Sequence, residues 1–80
     1  MSFSDLELLY LFGLIRDDLE RLEKRYKRLE IMYDRTDNRE KRREYQLKLA
    51  MVISEYRTLD PLLKRFADEI ALRELGKKMT

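Results

Sequence analysis

The chain has no cysteine, no histidine and no tryptophan, and only two glycines and one proline among its 80 residues. Without cysteine there are no disulfides, no thiolate chemistry and none of the common zinc sites. The lack of histidine as well removes the usual acid–base and nucleophile sets. Only Ser2, Ser4 and Ser54 offer serine hydroxyls, and no glycine-rich loop could cradle a phosphate. These gaps argue for a protein that is not an enzyme and that takes no cofactor, metal or small-molecule substrate. Long apolar runs are missing too. The longest, Leu8 to Ile15, is far short of the roughly 20 residues a membrane-spanning helix needs. The opening residues carry Asp5 and Glu7 where a secretory leader would be basic. The expectation is a cytoplasmic protein without a membrane segment.

What is present is charge and helix-forming apolar residues in nearly equal share, 42% and 44%. With so few glycines and prolines, that balance marks long helices rather than disorder. In the first half Leu8, Phe12, Ile15, Leu19, Leu22, Tyr26, Leu29 and Tyr33 alternate spacings of four and three. In the second half Tyr45, Leu49, Val52, Tyr56, Leu59, Leu63, Phe66 and Ile70 repeat the pattern. Such a repeat sets one narrow face of each helix against another helix. Between the stripes, Asp34-Arg35-Thr36-Asp37-Asn38 breaks the phase with capping side chains. The pattern predicts an all-α fold in a single domain over 1–80. It is an antiparallel helical hairpin with a coiled-coil-like seam, one helix over about 5–33, a turn over 34–38 and a second helix over about 38–75.

The local signals are specific. Ser4 with Glu7 forms a capping box ahead of the first helix, and Asp37 with Glu40 suggests another ahead of the second. Acid-first pairs Asp17–Arg21, Glu20–Lys24 and Glu23–Lys27 lie one turn apart. Pro61 follows Asp60, a good N-cap, and is compatible with a third helix. The apolar phase nevertheless runs straight through it, with Pro61 pointing outward, so one helix kinked near 60–61 is favoured. Gly76 suits a C-terminal cap, with Lys77 and Lys78 beside the negative helix end.

Two features bear on function. Residues 8–15 are apolar on every side of a helix, so Leu9, Tyr10, Leu11 and Leu14 exceed what a two-helix seam needs. Leu62, Ala67, Ala71, Leu72 and Leu75 lie off the second stripe near the same end. This apolar end is expected to dock a helical protein partner or to close two hairpins into a homodimeric four-helix bundle. Leu9, Tyr10, Leu11, Leu14, Leu62 and Leu72 are the candidate contacts. Gly13 offers a close helix crossing. The seam tyrosines are read as fillers of its wider part.

The second feature is charge. The first twenty residues hold Arg16 against Asp5, Glu7, Asp17, Asp18 and Glu20, whereas residues 21–48 carry eleven basic and six acidic side chains. The turn is therefore basic, and Arg35, Arg39, Arg42 and Arg43 are the residues through which it would contact nucleic-acid phosphates. In shape alone the chain resembles small helical-hairpin regulators, including plasmid-copy-control proteins that dimerise into four-helix bundles and bind RNA. No motif is shared, so no functional residue carries over. Three functional expectations follow: a small adaptor or regulator acting through helix–helix contact, a nucleic-acid-binding regulator, or a structural component of a larger assembly.

Overall fold

The computed structural model describes residues 3–75. Two helices, α1 (Asp5–Arg35) and α2 (Arg39–Leu72), fold back on each other through the three-residue link Thr36–Asn38. Among the described residues there are no strands.

Each boundary has a local cause. At the start of α1 the Ser4 hydroxyl accepts from the Glu7 N–H at 3.2 Å, and the Ser4 N–H donates to Glu7 Oε1 at 3.3 Å. Two helix-end donors are thus satisfied reciprocally. At the start of α2 the cap is Asn38 rather than Asp37. Its side-chain oxygen accepts from the N–H groups of Glu40 and Lys41, at 2.9 and 3.2 Å. An Asn amide oxygen caps as well as a carboxylate, and α1 continuing to Arg35 moves the link one residue on.

Helix α2 passes through Pro61 without interruption, so no separate helix begins there. Pro61 lacks an N–H, leaving the Arg57 carbonyl without its helical donor. Both residues are exposed, and water can take the place of the missing donor.

The end of α2 differs from the expectation. The helix stops at Leu72 and Arg73 is the cap, with its N–H donating to the Glu69 carbonyl at 3.0 Å. Glu74 adopts a left-handed conformation, φ 55°, and its N–H donates to the Ala71 carbonyl at 3.1 Å. This turn brings Leu75 back into the core, where it is buried. The two helices are 31 and 34 residues long. Gly76, Lys77 and Lys78 lie outside the described residues.

Every residue of the two apolar stripes is buried or partly buried. The buried core comprises Leu8, Ile15, Leu19, Leu22 and Leu29 of α1 with Val52, Phe66 and Leu75. It is thin. The molecule measures 53 × 23 × 15 Å with a radius of gyration of 17.2 Å, against about 12 Å for a compact domain of this length. Two helices can shield only the faces they turn to each other. Accordingly, ten large apolar side chains among the described residues remain exposed, against eight apolar residues buried.

Candidate interaction surfaces

The open end of the hairpin, where α1 begins and α2 ends, is held by Arg73. Its Nε donates to Glu69 Oε1 at 2.9 Å, and its Nη1 donates to the Phe3 carbonyl at 2.8 Å and to Asp5 Oδ1 at 3.0 Å. These hydrogen bonds to Glu69 and Asp5 raise the guanidinium pKa, with burial acting the other way. Beside it the Phe3 and Phe66 rings meet edge to face, centroids 5.9 Å apart. One cation thereby ties the entry of α1 to the exit of α2.

The six candidate apolar contacts divide into two groups. Leu9, Leu11 and Leu62 are partly buried and pack against the core. They belong largely to the hairpin itself, because side chains flanking a seam lean over it. Tyr10, Leu14 and Leu72 are exposed, Tyr10 at 68% and Leu72 at 79%. Leu6, 80% exposed, joins Tyr10 and Leu14 on α1. Sequence reasoning passed over Leu6 because it precedes the apolar run, although its spacing of four from Tyr10 and eight from Leu14 signals a shared face. Gly13 lies on this surface as well. An added Cβ there would meet nothing within 4 Å, so no close crossing inside the hairpin requires the glycine.

A second group of exposed apolar residues, Ile31, Met32, Leu47, Met51 and Ile53, lies in the half of the hairpin nearer the turn. Between the helices a groove of about 270 Å³ is lined by Leu22, Tyr26, Val52, Ile53 and Tyr56, with Glu23, Lys27 and Arg57 among its polar lining. The Tyr56 hydroxyl donates to Glu23 Oε1 at 3.4 Å. Its pKa is raised, first by desolvation and then by the charges of Glu23 and Asp60, against a lowering by Lys64. Tyr26 is raised chiefly by its hydrogen bond to Glu30 and that group's charge. A seam filler with its hydroxyl on an acid at the rim describes Tyr56 well. The groove was not legible in the sequence, since its walls come from opposite helices.

At the turn Arg35, Arg39, Arg42 and Arg43 are all exposed. The Arg42 guanidinium sits 4.8 Å from the centroid of the Tyr33 ring, a cation–π contact. Among the described residues none of these four arginines takes part in an ion pair. The pairs that do form differ from those expected: Arg21 meets Asp18, at 3.8 Å, rather than Asp17.

Among the described residues no group of three or more acids could hold a metal ion, and no helix is long and apolar enough to cross a membrane. No family model matches the chain, and no curated protein or solved structure does either.

Proposed function

We propose that this chain is a non-enzymatic adaptor or regulator that acts by packing helices of another polypeptide against its exposed apolar surface. One observation carries the reading: among the described residues more large apolar side chains are exposed than buried. Apolar surface left in water is a standing driving force for association, about 25 cal/mol per Å² covered. On this reading the stripes pack as a heptad seam, Pro61 bends α2 around α1, and association covers outer helix faces that two helices leave in water, joining two hairpins into an assembly of four helices in the homodimeric case.

The test substitutes Leu14→Glu and Leu72→Glu together, both outside the buried core. Helicity by circular dichroism should persist while association, followed by sedimentation equilibrium over a range of concentrations, is lost. Association equal to that of the parent would discard the reading.

A second reading rests on the turn, where four exposed arginines stand without ion-pair partners among the described residues. Binding of a fluorescent RNA or DNA duplex there would weaken steeply with salt and vanish on combined Arg39→Ala, Arg42→Ala and Arg43→Ala substitution. No binding at low salt rules it out.

A further inference from the structure

The buried residues Leu8, Ile15, Leu22 and Leu29 recur every seven positions along α1. Two residues further on, and so about 200° round the helix, stand Tyr10, Asp17, Lys24 and Ile31. This second stripe faces away from α2, and all four side chains are exposed. Tyr10 and Ile31 are among the exposed large apolar residues, at 68% and 50%. Neither Asp17 nor Lys24 forms an ion pair among the described residues. A seven-residue period drifts by only about 20° per heptad, so four such positions stay on one side of a helix.

The order of the stripe is apolar, acid, base, apolar. Reversed, it is complementary to itself. An antiparallel copy whose two-fold axis crosses α1 between positions 20 and 21 sets Tyr10 against Ile31 of the second copy. It also sets Asp17 against Lys24 of the second copy, and each contact occurs twice by symmetry. Glu20 and Arg21 flank the axis, one acid and one base per chain, so the crossing carries no net charge. Larger-scale charge agrees. The α1 segment up to Glu20 is acidic and the segment after it basic, so antiparallel pairing attracts along its length whereas parallel pairing places like on like.

Resting on the interaction reading above, and naming its partner and register, we propose that the partner is a second copy of this chain. It docks α1 against α1 in antiparallel orientation through Tyr10, Asp17, Lys24 and Ile31. The two apolar pairs exclude water at the ends of the stripe, and the two ion pairs between them select the orientation.

Charge exchange tests this directly. Asp17→Lys alone sets lysine against lysine twice, and Lys24→Asp alone sets acid against acid twice. Each variant by itself should dimerise at least about tenfold more weakly than the parent in sedimentation equilibrium. Mixing the two variants restores both pairs across the interface and should return parent-like affinity as a heterodimer. The double variant should recover as well. All four sites are exposed, and circular dichroism should report equal helicity throughout. A parent that stays monomeric at every concentration overturns the proposal. So does a dimer whose affinity ignores single reversals, or single variants that fail to rescue each other. If association then still collapses on Leu14→Glu with Leu72→Glu, only this register has failed and the broader interaction reading stands.

Discussion

Arg73, at the exit of α2, donates to Asp5, at the entry of α1, over 3.0 Å, across 68 positions of sequence. The same guanidinium holds the Phe3 carbonyl and Glu69. It is thus the polar counterpart of the buried contacts that close the open end. Arg73→Ala should lower Tm by about 5 °C. Arg73→Lys should recover only part of that, because an ammonium cannot fork to three acceptors as a guanidinium does. An unchanged Tm for the alanine variant would show that the clamp contributes nothing beyond what water supplies.

Glu74 occupies left-handed backbone space at φ 55°, which costs a residue with a side chain roughly 1 kcal/mol relative to glycine. Glu74→Gly should therefore stabilise the fold by about 1 kcal/mol, raising Tm by about 4–8 °C. A lower Tm in thermal denaturation would contradict the turn that returns Leu75 to the core.

Gly13 and Pro61 are the helix breakers retained inside α1 and α2. Gly13→Ala places a methyl in open space and should add about 1 kcal/mol. Pro61→Ala restores a donor to the Arg57 carbonyl and should add about 2–3 kcal/mol in denaturant titration. Destabilisation by Pro61→Ala would mean that the proline conformation is needed for α2 to follow α1.

The phenol of Tyr56 titrates above its ordinary 10.0 because of desolvation and the charges of Glu23 and Asp60. A raised pKa means that the folded state holds the proton more tightly than the unfolded state. The corresponding stability is fully present below about pH 10 and is lost as pH rises through the folded value. Tyr26 acts in the same direction through Glu30. Melting temperature should fall as pH rises above about 10 by more than in Tyr56→Phe, which has no hydroxyl to ionise. Identical pH profiles for parent and variant would remove Tyr56 as the cause.

Much of the hairpin was legible because its signals are local. The Ser4 capping box, the polar link and the two apolar stripes depend on neighbours within a turn or two of helix, and each leads to a boundary or a face in the structure. The misreadings involve competition or distance. Asp37 and Asn38 are both good caps, and only the length of α1 decides between them. Asp17 and Asp18 both lie about one turn from Arg21, and Arg21 meets Asp18. Leu9, Leu11 and Leu62 read as surplus apolar residues, yet a seam two helices wide draws its flanking side chains inward.

The sequence by itself determined two long helices, the faces they bury and a reversal near Thr36, because periodicity and capping act over short range. Only the tertiary structure decided that Arg73 joins Asp5 and Phe3, that Leu75 returns to the core, and that a groove lies between Tyr26 and Tyr56. Those contacts unite residues from the two halves of the chain, and their geometry exists only once the hairpin has closed. The exposed remainder follows from the same closure: two helices offer each other one face apiece, and the other faces of α1 and α2 stay in water.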